Sequence, residues 1–559
     1  MEQQIELERG ERIARLLFPE TTKTVADYRK IYPPRILKPS ACITRVAPSP
    51  TGPMHIGGIY MALICKKIAC QTGGLFYLRI EDTDKKRTVV GAKEMIINSL
   101  NDYGLLPDEG PILPKGDKGF YAPYIQSERL EIYKSFAKEL IKRGLAYPCF
   151  ATEAELEVSR KEQEILGVKP GYYGKWATWR NMDVDKVQQT LYKKVPYVIR
   201  LYSSGNESEK FTHHDIVKGV ITMPTNHQDF VLVKGDGLPT YHLAHVVDDY
   251  LMGTTHVIRG DEWLSSLPLH YELFQIFGFP VPCYGHIAPI QKVENGNKKR
   301  KLSKRIDSEA KILYYREKGY PEDAVIEYLM NLANSNFEDW RRQNPQLPLN
   351  DFKLSFDRFS NGGPLFDELK LKDISKNIIA RMDAAAIYQN TLVWAQNYDP
   401  KFAKLLVHHS DYALQFFAIE RGNVNARKDI AVWSDMPNEF SCFFDENFVT
   451  PVCIEIKTIL TEKEIIAAIT AFCGFYNQDD NRERWFERVQ TLALQYDLAP
   501  DIKSYKQQHG RFRGQVGELT QVIRYALTGK TRTPDLYSLM VVMGYDRCIN
   551  RLKGFIEQC

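Results

Sequence analysis

Apolar and polar positions change period several times along the chain, and each change predicts a different element. Leu7, Ile13, Leu16 and Leu17 recur at roughly helical spacing before Pro33 and Pro34, which predicts a helical lead-in. A short apolar run, Cys42 to Val46, then reads as a buried strand, followed by a Pro/Gly loop (Pro48 to Gly58), an apolar helix (Ile59 to Ala69) and a second strand (Leu75 to Ile80). This series predicts a parallel α/β sheet with its ligand site at the carboxyl ends of the strands. Leu105 to Tyr124 is rich in Pro and Gly and reads as loop. A mixed block follows: a charged helix (Thr152 to Leu166), a glycine and aromatic patch (Gly171 to Trp179), and strand-like Tyr197 to Tyr202 and Phe230 to Val233. Strand-like segments resume at His256 to Arg259 and Tyr284 to Ile290, so the block reads as an insertion into the sheet domain. From about Glu309 helical periodicity dominates, with no internal repeat.

Composition bounds this picture. The chain has 559 residues, enough for about three to four domains. With 44% hydrophobic, 26% charged and 12% aromatic residues, it is not expected to be disordered, collagen-like or a coiled coil. No run approaches the ~18 apolar residues of a membrane span. Met1 to Phe18 mixes acids and bases where a signal peptide would be apolar, so a soluble, unexported protein is expected. The ten cysteines form no CxxC pair and read as reduced thiols, which points to the cytoplasm. A net charge of +4 is too small to announce nucleic acid, so such a partner must be argued from local clusters.

Two segments carry candidate chemistry. The loop from Ala47 to Gly58, APSPTGPMHIGG, joins the first strand to its helix. Gly52, Gly57 and Gly58 permit close backbone approach, and the free N–H groups of the helix start favour a phosphate, with His55 at the mouth. The second segment is Lys298 to Arg305, KKRKLSKR, with six basic residues of eight. A plain basic run is usually a solvated face or a nucleic-acid patch. Here Leu302 and Ser303 interrupt it, and Glu294, Gly296 and Asn297 before it suit a mobile loop, so a cationic loop closing on a polyphosphate explains both features.

HIGG at 55–58 with KLSKR at 301–305 resembles the HIGH and KMSKS signatures of class I aminoacyl-tRNA synthetases. Thr44 to Gly52 (TRVAPSPTG), Leu78 to Asp84 (LRIEDTD), Leu238 to Asp249 (LPTYHLAHVVDD) and His256 to Trp263 (HVIRGDEW) narrow the resemblance to glutamyl-tRNA synthetases of bacterial type. It covers about residues 41–375 and, more loosely, the helical remainder. It implies an α/β Rossmann-like catalytic domain with an inserted α+β domain, followed by all-α C-terminal domains. The implied division is a helical N-terminal extension (1–40), the catalytic domain in two halves (41–125 and 236–308), an acceptor-end-binding insertion (126–235), a helical stem-contact region (309–375) and a helical anticodon-binding domain (376–559).

The resemblance also implies roles. His55, Lys301 and Lys304 are the catalytic candidates; Thr51, Gly52, His55, Gly57, Gly58, Ser303 and Lys304 bind ATP, which comes with Mg2+. Arg45, Ala47, Ser49, Glu81, Tyr241, His245 and Arg259 bind L-glutamate. Within this set Arg45 and Tyr241 take the side-chain carboxylate and Glu81 the ammonium. The residue types agree with the substrate, since two carboxylates and an ammonium call for fixed cations and an anion. Asp82 and Asp84 read more plainly as solvated turn and cap residues. His245 stands where some family members carry Asn. Some members hold zinc in the insertion near a CxC; here Pro148 to Thr152 keeps only Cys149, and one thiol makes no tetrahedral site, so no structural zinc is expected.

Partners follow from the same reading. Tyr172, Tyr173, Trp176 and Trp179 are candidates for stacking on the acceptor end of the tRNA, or equally for the core of the insertion. Lys503, Lys506, Arg511, Arg513, Arg524, Lys530 and Arg532, with Tyr505, Phe512 and Tyr525, suit a helical surface reading loop bases. The expected activity is ATP-dependent attachment of glutamate to tRNA(Glu) by a cytoplasmic monomer without membrane contact. Charging of tRNA(Gln) as well, or a non-catalytic tRNA-binding paralogue, remain the alternatives.

Overall fold

A computed structural model describes residues 2–294, 298–422, 426–508 and 510–559. Two compact units arise: Met1–Ile312 with Ile326–Phe366, and Leu313–Val325 with Asp367–Cys559. Among the described residues no helix is long and apolar enough to cross a membrane.

The first unit is built on two parallel strand pairs. Ile43–Val46 pairs with Leu75–Leu78, and His256–Gly260 pairs with Cys283–Ile287. Thr255 N–H donates to the Ile43 carbonyl at 3.1 Å and so places the pairs side by side. Ile43–Val46 is buried at every position, the run expected of a strand covered on both faces. The helix Ile56–Thr72 starts three residues before the predicted Ile59 because His55 caps it: His55 Nδ1 accepts from Gly57 N–H at 2.8 Å. It ends on Gly73 in the left-handed region (φ 67°), and the chain turns at once into the second strand. Gly74 is obligatory there, because a Cβ would stand 2.0 Å from the Cys42 carbonyl oxygen.

Helices cover the sheet. In Tyr241–Leu251, Tyr241, His245 and Asp249 are spaced by four and share one face. In Leu130–Lys142, Phe136, Ala137 and Leu140 pack against Ile13, Ala14 and Leu17 of the N-terminal helix Glu2–Leu17. That helix also reaches the insertion through Arg12 and Asp185 at 2.8 Å.

The mixed block contains an antiparallel sheet in the order Ala146–Cys149, Val198–Leu201, Val231–Val233, and a separate hairpin, Lys210–Asp215 with Gly219–Pro224. The hairpin was not read from the sequence, because KFTHHD is too polar to announce a strand. The second unit is almost wholly helical; its core runs from Ile379 to Phe555 and is rich in aromatics such as Phe416, Trp433, Phe440 and Phe444. Cys453 and Cys559 are joined there by a disulfide, with Cα atoms 4.9 Å apart. This corrects the reading of all ten cysteines as free thiols: a separation of 106 residues hid a pair that only tertiary folding brings together.

Candidate active site

The two signature segments meet at the carboxyl ends of the strands. Lys304 Nζ donates to the Pro53 carbonyl at 2.6 Å, so the second signature lies against the first loop. A β-bridge between His55 and Lys311 adds a backbone tie. Because His55 Nδ1 accepts from Gly57, the proton of the neutral ring sits on Nε2, a donor for a phosphate oxygen. Burial, and then the Lys304 ammonium, lower the His55 pKa to about 4. A Cβ on Gly57 would come within 3.0 Å of Nδ1 and displace the ring, which accounts for the glycine. Thr51 is exposed with its N–H on the Ser49 carbonyl at 2.8 Å, and Gly52 takes φ 125°.

The second signature is more ordered than the sequence suggests. Lys299–Lys301 is a strand paired antiparallel with Gln291–Val293, and Leu302 is buried. Arg300 is held by Asp307 at 2.5 and 2.8 Å and by Glu294, which leaves it no role as a free cation. Ser303 N–H donates to Asp307 at 2.8 Å. Lys301 Nζ lies 3.4 Å from Glu262 and is exposed, as is Lys304. Gly296 and Asn297, expected in a mobile loop, lie outside the described residues.

Of the expected glutamate residues, Arg45, Glu81 and His245 are joined through Asp249 and Arg79, and Tyr241 accepts from Arg259. Arg45 projects from the first strand and contacts Asp249 through Nε at 3.2 Å. Glu81, just past the second strand, accepts from Arg79 Nη2 at 3.0 Å. Burial raises the Glu81 pKa, with Arg79 opposing it. Tyr241 accepts from Arg259 Nη1 at 3.3 Å, and burial raises its pKa. Ala47 is half-buried and Ser49 exposed at the rim.

Arg259 differs from the other arginines. It is 5% exposed, and its guanidinium donates to His286 Nε2 (2.9 Å), His270 Nδ1 (3.1 Å), the Tyr241 hydroxyl (3.3 Å) and the Trp263 carbonyl (3.2 Å). Among the described residues no carboxylate forms an ion pair with it. A buried cation without a counter-charge is costly unless a ligand supplies one.

His245 lies behind the pocket. It is fully buried, with Nδ1 2.8 Å from Asp249 and Nε2 3.0 Å from the Tyr284 hydroxyl, and its ring stacks on Tyr241 at 5.4 Å. Burial, only partly opposed by Asp249, lowers its pKa to about 3, so it is neutral at physiological pH. Four side chains in this network escaped the sequence reading. Arg79 bridges Glu81 and Asp249. Asp248 gathers Arg129, Tyr133 and Gln126 within 2.9 Å. His270 and His286 support Arg259. Only the adjacent acids of VVDD, unusual in an apolar helix, could have signalled them.

A cleft of about 670 Å³ opens from Tyr241, His242 and Trp263 to Arg200, Tyr172 and Gln163 of the inserted block. Tyr172 is buried with Tyr147 and Cys149, so it belongs to the core of the insertion; Trp179 leans on Phe150, while Tyr173 and Trp176 pack edge to face, half-exposed. Asp82 is half-buried and accepts from Ser127, 45 residues away, a tertiary tie rather than a solvated turn, while Asp84 pairs with the nearby Arg87. In the helical unit Arg513 pairs with Glu464, Lys530 with Glu439, and Tyr525 is buried. Lys503, Lys506, Arg511 and Arg532 stand exposed.

Residues 41–341 match the family model described as tRNA synthetases class I (E and Q), catalytic domain, and residues 497–556 match an anticodon binding domain. A glutamate–tRNA ligase from Acetivibrio thermocellus is 44% identical over 546 residues, 98% of this chain and 99% of its own length. One from Clostridium perfringens is 43% identical over 548 residues, with the same two coverages. The crystal structure of a glutamate tRNA ligase from Elizabethkingia meningosepticum, in complex with its amino acid, superposes with a TM-score of 0.73 at 30% identity and covers 92% of this chain and 99% of that one. A catalytic-domain match over more than half the chain, relatives alike along nearly all of it, and two signature segments in contact lead to one conclusion: the chain belongs to the glutamate–tRNA ligase family of class I aminoacyl-tRNA synthetases, which act with ATP.

Proposed function

We propose that this chain attaches L-glutamate to tRNA(Glu) in two steps. An oxygen of the glutamate α-carboxylate attacks the α-phosphorus of ATP, the bond to the bridging oxygen breaks, and pyrophosphate leaves. The terminal ribose hydroxyl of the tRNA then attacks the acyl carbon of glutamyl-adenylate, and AMP leaves. The observation that carries the amino-acid assignment is Arg259, a buried guanidinium held only by neutral acceptors beside Arg45, Glu81 and Tyr241. A zwitterion with a second carboxylate neutralises this arrangement; the amide of glutamine leaves one cation unpaired.

No side-chain nucleophile is needed. The Nε2–H of His55 and the ammonium groups of Lys301 and Lys304 stabilise charge on the phosphates, and Thr51, Gly52, Gly57, Gly58 and Ser303 supply backbone and hydroxyl contacts. Mg2+ arrives with ATP as part of the substrate. The insertion, residues 126–235, receives the acceptor end in the cleft beside Tyr241. Residues 376–559 read the anticodon, 309–375 contact the stem, and the extension 1–40 braces the insertion.

The reading includes a cytoplasmic monomer without structural zinc: Cys149 is buried on the Tyr172 hydroxyl at 3.3 Å. Metal analysis finding one zinc per chain would overturn the last point. The activity is tested by aminoacylation of tRNA(Glu) and tRNA(Gln) transcripts with glutamate and with glutamine. Glutamate on tRNA(Glu) is expected; no charging with either amino acid rules the proposal out.

A further inference from the structure

The support behind Arg259 follows from donor and acceptor arithmetic. A guanidinium only donates, so every atom facing it must offer a lone pair. His286 Nε2 accepts from Arg259 Nε at 2.9 Å, which puts the proton of that neutral ring on Nδ1. Nδ1 lies 2.6 Å from Asp215 Oδ2, so Asp215 is the acceptor that fixes this tautomer. His270 Nδ1 accepts from Arg259 Nη1 at 3.1 Å, its proton therefore sits on Nε2, and that proton points at His242 Nδ1, 3.0 Å away. Neither ring can be protonated without turning an N–H against the guanidinium. Burial lowers the pKa of both, well below the ordinary value for His270.

Asp215 is itself held firmly. It is fully buried at the end of the strand Lys210–Asp215, and accepts from the backbone N–H groups of Val217 (3.0 Å), Lys218 (2.9 Å) and His286 (3.2 Å). Burial opposes its ionisation, but the hydrogen bonds from His286, Lys218 and Val217 outweigh it and keep the carboxyl below the usual range. The carboxylate is thus one imidazole removed from the cation: close enough to orient His286, yet not in contact with Arg259.

We propose that Asp215, His286 and His270 are positioning residues for amino-acid recognition, a relay that orients Arg259 through neutral imidazoles and leaves its charge available to a substrate carboxylate. The relay ties the pocket to the hairpin Lys210–Pro224, since Asp215 ends its first strand and caps its turn. A carboxylate directly on Arg259 would orient it equally well but would compete with the substrate; an imidazole orients without competing. The proposal rests on the assignment of Arg259 to glutamate binding.

The test is steady-state aminoacylation by the full chain with four variants: His286→Leu, His286→Gln, Asp215→Asn and Arg259→Ala. His286→Leu removes the acceptor and is expected to raise KM for glutamate about tenfold or more, with KM for ATP and kcat within about threefold. His286→Gln, whose amide oxygen can accept from Arg259 Nε, recovers most of that loss, and Asp215→Asn gives an intermediate KM. If His286→Leu and Asp215→Asn leave KM for glutamate unchanged while Arg259→Ala raises it, the relay is overturned and the Arg259 assignment stands. If Arg259→Ala also leaves it unchanged, the assignment itself fails. A His286→Leu protein that does not accumulate folded leaves the decision to Gln and Asn. For those two, equal losses in KM for glutamate, KM for ATP and thermal stability mark a merely structural role and overturn the proposal.

Discussion

Lys304 and Arg259 show how differently two cations are prepared for an anion. Lys304 reaches across from the KLSKR segment to the Pro53 carbonyl, and the proposed function has it exchange that contact for phosphate oxygens of ATP. Lys304→Ala is expected to lower the rate of adenylate formation ~100-fold or more, the size of one preorganised electrostatic contact; an unchanged rate in pyrophosphate exchange removes Lys304 from the site. His245 acts one shell deeper, through Asp249 and thus Arg45. His245→Asn is expected to raise KM for glutamate roughly fivefold, about the worth of one hydrogen bond, with a smaller effect on turnover. A turnover loss at constant KM contradicts this. The candidate residues themselves were legible in the sequence because their motifs are contiguous. Of the side chains behind them, Arg79 and Asp248 lie inside the LRIEDTD and VVDD motifs without their partners being readable there, whereas His270 and His286 have no local spacing to betray them.

At the scale of elements, the helix Tyr241–Leu251 carries more than its motif announced. One face carries Tyr241 at the cleft with His245 and Asp249 buried behind it, and the neighbouring Asp248 anchors the helix Leu130–Lys142 and its leading turn through Arg129 at 2.7 Å and Tyr133 at 2.8 Å. Arg129, Arg79 and Asp248 are all inaccessible to solvent. Asp248→Ala strands the buried Arg129 guanidinium, while Arg79 keeps Asp249 and Glu81, and is expected to cost about 3–5 kcal/mol of unfolding free energy, measured by denaturant titration. The first strand, the loop and the next helix were legible because apolar runs and glycines punctuate them. The hairpin Lys210–Pro224 was not, because its burial alternates on one face only and its inner positions are His213 and Asp215 rather than aliphatic residues.

For the molecule as a whole, buried neutral histidines set a pH response. His55 and His242 are lowered to about 4 and His245 to about 3, in each case by burial first. Their folded values lie below the unfolded one, so between roughly pH 6.5 and 4 the unfolded chain binds more protons. Stability from these groups is present above the unfolded value and is lost as pH falls through that window. Calorimetric melting temperatures should therefore drop between pH 6.5 and 4, and more shallowly in a His242→Gln variant; equal slopes contradict the assignment. The exposed cations Lys503, Lys506, Arg511 and Arg532 predict a salt-dependent grip on tRNA. Replacing two of them by Ala should flatten the slope of log K against log salt by about 0.7 per lost phosphate contact to single-stranded loop.

Contiguous sequence alone determined the family, the order of sheet, insertion and helical parts, and the candidate residues for the proposed site, because phosphate loops and strand ends are local structures written in adjacent residues. Tertiary structure decided which charges are free. Of the basic run at 298–305, Arg300 is spent on Asp307 and Glu294; Arg45 and Arg79 share Asp249, whereas among the described residues Arg259 has no carboxylate partner. The Cys453–Cys559 disulfide was likewise invisible before folding. A charge or a thiol is defined by its neighbours in space, and those neighbours are distant in sequence.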